Sequence, residues 1–346
     1  MLQVREQRGV LSVAGAARVE LDDDGSLDDA RSRLRVAEQL RAAVISGGFL
    51  GRQCTISLPR SEVHVQSIRL PSMPMSELRE AAAWEAANRL DVAREDLECD
   101  VLLTGLPLDR KDRQEVLVIS AARSLLEARL DAVLDAGLRP IAVDTHFGGL
   151  ARVLSRRQRR DSDTTVRAVL EVGDAGSTML MLRGADVAFC KPLPIGGRHL
   201  DEHVAERLDQ DVAAVRDLRL AMLDDAGLHV DDATAGAVYD AARSVIAELA
   251  RDAMLCLRHF AVSARGARPE QLVLTGVHAS EQGLAECLES TCRIPVRLDD
   301  ESGATAALLK GLPGVLHSAA GPASGWTIAA GLSLRSLERP PQRRAA

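Results

Sequence analysis

Apolar and polar residues alternate along "VREQRGVLSVAGAARVEL" (Val4–Leu21), a pattern that predicts a β-hairpin turning at Gly9. The acidic turn "DDDGSLDD" follows, with Ser26-Leu27-Asp28-Asp29 as a polar cap. Beyond it Leu34, Ala37, Leu40, Ala43 and Val44 recur at three- and four-residue spacing up to Gly47-Gly48, the period of an amphipathic helix. "QCTISLP" is a short buried strand stopped by Pro59. The next block reads βαββα over Val63–Gly137. "VHVQSIRLP" alternates as a strand, and "MSELREAAAWEAANRL" is a helix with Ser76 as cap and Glu77 and Glu80 in its first turn. "LECDVLLTGL" and "EVLVISAA" are strands, and the helix "SLLEARLDAVLDAG" ends at Gly137. "RPIAVDTHFGGLARVL" adds a strand and the start of a helix.

The pattern breaks at "SRRQRRDSDTT" (Ser155–Thr165), polar and charged throughout, which marks the main domain boundary. After it two apolar runs, Ala168–Val172 and Thr178–Leu182, flank the turn Gly173-Asp174-Ala175-Gly176-Ser177, and "ADVAFCKP" supplies a third strand. Helical patterns dominate from His199 to about Ala264. "QLVLTGVHASEQGLAECLESTCRIPVRL" returns to strand, glycine turn, a helix capped near Ser280, and strand. "SGWTIAAGLSLRSL" is a last helix, and "RPPQRRAA" reads as a disordered tail. Each half opens on hairpins and closes on helix and strand, a weak internal duplication of an α/β unit.

Composition narrows the functional classes. At 346 residues, 46% hydrophobic and 27% charged, the chain is an ordinary globular one with room for two domains. No uncharged apolar stretch approaches the ~18 residues that span a bilayer, and "MLQVREQRGV" has no signal-peptide core, so the reading places the protein in the cytoplasm. A net charge of −7 and 2% aromatic residues argue against nucleic acid as a partner. Six scattered cysteines with no CxxC spacing read as buried thiols, not a metal site or disulfide frame.

Two stretches carry candidate chemistry. The glycine-rich tip after Ala168–Val172 leaves backbone N–H groups free to form an anion nest, with Ser177 and Thr178 as hydroxyl donors. Glu171 and Asp174 would repel phosphate directly but suit Mg²⁺ or an oriented water. An ordinary hairpin turn explains the same residues. In "LVLTGVHASEQGL" a strand ends at Thr275-Gly276 ahead of a helix, the geometry that exposes helix N-terminal amides to nucleotides in α/β folds.

Together these stretches resemble the two-lobed actin-like ATPases, and within them the PilM (competence protein A) family, pilus-assembly proteins related to the division protein FtsA. "EVGDAGSTMLMLRGADVAFCKPLPIGGRHL" is similar to that family's second phosphate hairpin and the "P-I/V-G-G" turn after it. "IRLPSMPMSELREAAAWEAANRL" is similar to its "R-L-P-x-L-P…E-L…A-x-x-W-E-A" stretch, "LVLTGVHASEQGLAECLESTCRIPV" to its "strand-T/S-G-G…P-G-L…L…G-I-P-V" segment, and "AAGLSLR" to "A-L-G-L-A-L-R". The resemblance implies an α/β, actin-like (ribonuclease H-like) two-lobed fold with an inserted small α+β subdomain. It divides the chain into a first lobe (1–62 and 138–155), an FtsA-like insertion (63–137), a linker (156–165), a second lobe (166–338) and a tail (339–346).

The same resemblance implies ATP with Mg²⁺, contacted by Glu171, Gly173, Asp174, Gly176, Ser177, Thr178, Gly196, Gly197, Thr275, Gly276, Val277 and His278. It implies a scaffold, cytoplasmic and peripheral at the inner membrane, that grips the N-terminal peptide of a bitopic PilN-like protein beside other pilus platform proteins. Trp84 and Leu90 are the candidate peptide contacts; the stripe Leu78, Ala81, Ala82, Ala86, Leu90 also reads as the core face of its helix. Four departures make hydrolysis unexpected. The family's first strand, "G-I-D-I-G-S/T", has no counterpart, because "LQVREQRGVLSVAGAARVEL" matches the second and third strands. Glu171 stands for Asp, Val277 for a second glycine, and Arg216 in "VRDLR" for Glu. A degenerate paralogue without nucleotide is the alternative; an actin-fold ATPase or kinase is another, with Asp144 as its only candidate base.

Overall fold

The described strands form four sheets, and which helices cover each of them follows from where its apolar positions point. The structure, a computed structural model, describes residues 1–8, 10–19, 27, 29–106, 112–155, 165–223, 230–264, 268–299 and 323–337. The Gly9 turn, the cap residues Ser26 and Asp28, most of the predicted linker and the predicted tail lie outside these residues.

Strands β1 (Leu2–Gln7) and β2 (Val10–Ala16) pair antiparallel, as the alternation requires. Helix α1 (Ala30–Ser46) starts at Asp29, whose side chain accepts from the Ser32 N–H. Its buried face carries Val36, Ala37 and Ala43, while Leu34 is exposed, so the apolar stripe is rotated from the predicted one. β3 (Gln53–Ser57) follows.

The insertion is a three-stranded antiparallel sheet of β4 (His64–Pro71), β5 (Leu97–Leu103) and β6 (Arg113–Ala122) in the order β4-β6-β5. Helix α2 (Met75–Leu90) covers one face. Its Leu78, Ala82, Ala86 and Ala87 pack on Ile68, Val101, Val116 and Val118. The stripe is therefore core, with Leu90 partly buried against it. Ser76 is not the cap: Pro74 holds that position with no side-chain hydrogen bond. Its backbone is still extended there (ψ 148°), and the N–H that proline lacks would have no helical partner at that position. The alternate residues of the sheet, Leu102, Leu117 and Ile119, turn to the opposite face, toward Phe147 and Leu150.

Helix α3 (Arg123–Asp135) leads to β7 (Arg139–Asp144), which lies parallel to β3. Helix α4 (His146–Leu154) follows. The second sheet runs β10 (Asp186–Leu193), β9 (Ser177–Arg183), β8 (Val166–Val172), β11 (Leu272–Thr275), β12 (Val296–Leu298). Every residue of central β8 is buried. On one side Ala168, Leu170 and Val172 meet a core shared with α5 (Gly197–Leu208), α6 (Val212–Leu223), α7 (Asp232–Ser263) and α8 (Leu284–Cys292). On the other Val169, with Leu180 and Leu182, meets α4. A central strand covered on both faces reads as a continuous apolar run, which is why it was legible. Gly283, not Ser280, caps α8, because the chain passes through a left-handed residue (φ 76°) there.

Helix α9 (Thr327–Arg335) crosses α4 glycine against glycine: a Cβ on Gly331 would collide with the Gly149 carbonyl. α9 also supports β1, with Ala330 and Leu334 packed on Val4 and Ser333 Oγ accepting from the Val4 N–H at 2.8 Å. No described helix is long and apolar enough to cross a membrane.

Candidate functional site

The hairpin tip between β8 and β9 and the turn after β11 come together at one end of the second sheet. Glu171 sits opposite Thr178 in one ladder and opposite Thr275 in the other. The His278 N–H donates to the Val172 carbonyl at 3.1 Å, joining the two turns directly. All of the predicted nucleotide contacts except Val277 therefore belong to one cluster. Val277 instead packs by Gly325 beside α9.

The cluster is filled by its own groups. The Gly197 and Arg198 N–H groups donate to the carbonyls of Gly173 (2.9 Å) and Asp174 (3.0 Å), and Ser177 Oγ donates to Ile195 O at 2.6 Å. A Cβ on Gly196 would strike the hairpin backbone, one on Gly197 the His278 ring, and one on Gly276 the Val172 backbone. Thr275 Oγ1 shares a hydrogen bond with Thr327, and Ser324 Oγ donates to Gly276 O. These glycines are required because backbone lies against backbone. The tip Gly173-Asp174-Ala175 reaches the surface, and there Arg198 pairs with Asp174 at 2.9 Å.

Residues that the sequence reading missed complete the site. Arg60, from a short 3-10 turn after β3, reaches across and pairs with Glu171 at 2.6 Å. Burial pushes the Glu171 carboxyl up, and the Arg60 charge pulls against that push. Arg60 Nη1 is buried with no partner, 3.2 Å from where a Gly176 Cβ would stand. His146, at the start of α4, bonds Thr178 Oγ1 through Nε2 at 3.0 Å. Burial first, and the nearby Arg60 charge second, lower its pKa to about 3, so it is neutral at physiological pH. In "VRDLR" the working residue is Arg219, not the exposed Arg216. Arg219 is buried and paired with Asp201 and Glu281, and Glu281 also meets His278 Nδ1 at 3.1 Å.

A second candidate region lies beneath the insertion. A cavity of about 560 Å³ is bounded by β5, by Ile119 of β6, by α4 and by the Ala185–Val187 turn of the second sheet. β5 pairs with β6 alone among the described residues, so its outer edge faces this region unpaired. Trp84 and Leu90 do not line the cavity; they belong to α2, on the sheet's other face. Asp144 borders it and accepts from Arg152 at 2.9 Å and Arg335 at 2.6 Å. A carboxylate held by two guanidinium groups is a structural anion and a poor general base.

The family model described as type IV pilus assembly protein PilM matches residues 1–337. The chain belongs to the PilM family. A solved PilM-PilN type IV pilus biogenesis complex is similar over 98% of this chain and 95% of its own, at 22% identity and a TM-score of 0.79. The ethanolamine utilization protein EutJ from Carboxydothermus hydrogenoformans is similar over 94% of this chain and 79% of its own, at 13% identity and a TM-score of 0.51. The fold is thus the actin-like, two-lobed α/β fold expected of a PilM-family chain, with the small α+β insertion built on β4, β5 and β6.

Magnesium with a nucleotide, implied by that resemblance, fits these residues poorly. Glu171, the carboxylate in the metal position, is committed to Arg60. Among the described residues no three His, Cys, Asp or Glu side chains converge as a ligand set. The spaces beside Gly196, Gly197 and Gly276 are occupied by protein.

Proposed function

We propose that this PilM-family chain is a scaffold of the type IV pilus or a related secretion platform that grips the N-terminal peptide of a bitopic PilN-like partner. The observation that carries the reading is the cavity beside the unpaired edge of β5. An extended peptide laid there gains main-chain hydrogen bonds from the strand and buries apolar anchors against Leu102, Leu103, Ile119 and Val187. The similar PilM-PilN complex supports a partner of that kind. The partner, not a span of this chain, then holds the protein at the cytoplasmic face of the inner membrane, beside other platform proteins. Binding of this type needs no nucleotide turnover. ATP with Mg²⁺ stays a separate proposal, tested by calorimetry with and without the metal.

The deciding experiment is a fluorescence titration with the cytoplasmic N-terminal peptide of the PilN-like protein encoded beside this gene. Leu103 is exposed at the β5 edge, so Leu103→Asp leaves the fold intact and is expected to weaken binding tenfold or more, on the order of the 1.4 kcal/mol that an anchor supplies. Trp84→Ala separates the alternatives: if it abolishes binding while Leu103→Asp does not, the peptide lies on α2 and the groove reading is wrong. We also place the lobe boundary within 156–165; limited proteolysis that cuts first inside β8 would move it.

A further inference from the structure

The 3-10 turn Arg60–Glu62 is the joint between β3 and the first strand of the insertion, and both of its charged ends are fastened. Glu62 takes the Arg129 guanidinium in a bidentate pair, Nη2 to Oε1 at 2.6 Å and Nε to Oε2 at 3.2 Å. That ties the entry of the insertion to its last helix, α3. Arg60 instead reaches Glu171 of β8, and so ties the same turn to the second sheet. Leu58 and Val63, which flank the turn, line the cavity under β5.

The Arg60–Glu171 pair belongs to a small buried network. Thr178 stands opposite Glu171 on β9, its hydroxyl donates to the Glu171 carboxylate, and it also bonds His146 of α4. Two segments outside the second sheet thus hold two of its neighbouring strands. The guanidinium covers the hairpin tip, with Nη2 3.5 Å from a Cβ built on Gly173 and Nη1 3.2 Å from one on Gly176. Elsewhere the insertion meets the second sheet largely through apolar side chains, Leu117 and Ile119 against Leu180 and Leu182, with Arg183 bonding Gly105 O at the margin. Apolar contact is non-directional and tolerates sliding, whereas a short buried ion pair fits one register.

We propose that Arg60 and Glu171 are a positioning pair that clamps the insertion at one setting against the second sheet, and so fixes the width of the groove under β5 without a nucleotide. The consequence for the groove rests on the peptide-binding reading proposed above; the clamp itself does not. A cation supplied by the chain does here what a ligand bound between the same segments would do. A metal that used Glu171 would have to displace Arg60 first.

The test compares the wild-type chain with the double variant Arg60→Ala, Glu171→Gln, in which neither partner is left as a lone charge. Amide hydrogen exchange is read at the N–H groups of Glu62 and Val63 in the turn and of Gly173 and Gly197 at the hairpin. All four are expected to exchange roughly tenfold faster or more, the scale of one lost charge-assisted hydrogen bond, while much of the urea midpoint is kept. Affinity for the PilN-like peptide is expected to fall roughly fivefold or more. Arg60→Lys keeps the cation and loses the fork; it should fall between the two, and carries the test if the double variant does not fold. ATP with Mg²⁺ is expected to leave wild-type exchange as it is. Unchanged exchange in the double variant, or in Arg60→Lys where the double variant does not fold, overturns the clamp. So does wild-type exchange that quickens at the turn when ATP with Mg²⁺ is added, because the metal then takes Glu171 from Arg60. If Leu103→Asp leaves peptide binding intact, the groove reading falls and exchange alone judges the pair. Faster exchange with full affinity, where Leu103→Asp does weaken binding, overturns the link from pair to groove.

Discussion

The closed end of the second sheet and the groove under β5 both form where distant segments meet, but one is sealed and the other open. Around Glu171 the glycines bring backbone against backbone, and side chains from the 3-10 turn after β3, from α4 and from α9 neutralise or bond what remains. Under β5 an unpaired strand edge borders a cavity large enough for several side chains. Glycine-rich turns that resemble phosphate loops pack here backbone against backbone, while the open cavity under β5 has few glycines among its lining residues. The difference is testable, since the sealed region should answer to substitution in stability and the open one in binding.

The largest effect is expected at Gly276. Its φ of +104° favours glycine, and any Cβ there meets the Val172 backbone, which cannot move without breaking the sheet. Gly276→Val should cost about 3 kcal/mol or more in urea unfolding, whereas Leu103→Asp in the groove should stay within about 0.5 kcal/mol. Similar costs at both sites would erase the distinction between sealed and open.

Arg60→Ala comes next. It leaves Glu171 buried beside Thr178 without its cation, a change typically worth about 3 kcal/mol. Glu171→Gln in the same chain should restore much of the loss, because a neutral amide needs no counter-charge. If the double variant is no more stable than Arg60→Ala alone, the pair is not what holds this end of the sheet.

The smallest effect is a pH dependence. His146 has a folded pKa near 3, below its ordinary value, so the unfolded chain binds the extra proton first. Its contribution is fully present above about pH 6.5 and is lost as pH falls toward 3. Glu171, pushed upward by burial, opposes this in the acid range. His146→Gln keeps a partner for Thr178 and should flatten the decline in urea midpoint between pH 7 and 4; parallel slopes in both proteins would show that other groups set the acid limit.

The fold was legible where burial writes a period. Ala168–Val172 reads as an apolar run because both faces of β8 are covered, and α2 shows its stripe because one sheet face lies under it. Helix starts were read less well. A serine near a boundary satisfies the cap pattern, but Pro74 and Gly283 take those positions through backbone conformation, which no hydroxyl count reveals. The hairpin and the β11 turn were correctly paired, but their filling was invisible. Arg60 reaches Glu171 from 111 positions away, a pairing that no local spacing announces. Arg219 differs from Arg216 only in facing inward, one helical turn along. Trp84 drew notice as a rare residue and stands exposed on α2, while Leu102, Leu103 and Ile119, which line the cavity under β5, carried no signal in the sequence.

The crossing of α4 and α9 has a temporal consequence. Val4 hydrogen-bonds a residue 329 positions further along, and the helix that supports β1 is the last in the described chain. During synthesis the amino-terminal hairpin therefore emerges with its apolar side uncovered and waits while the insertion and the second sheet are made. Those later parts have their own cores and can form in turn. Only when α9 leaves the ribosome can Gly331 seat on Gly149 and cover β1, so this hairpin is finished long after it is translated.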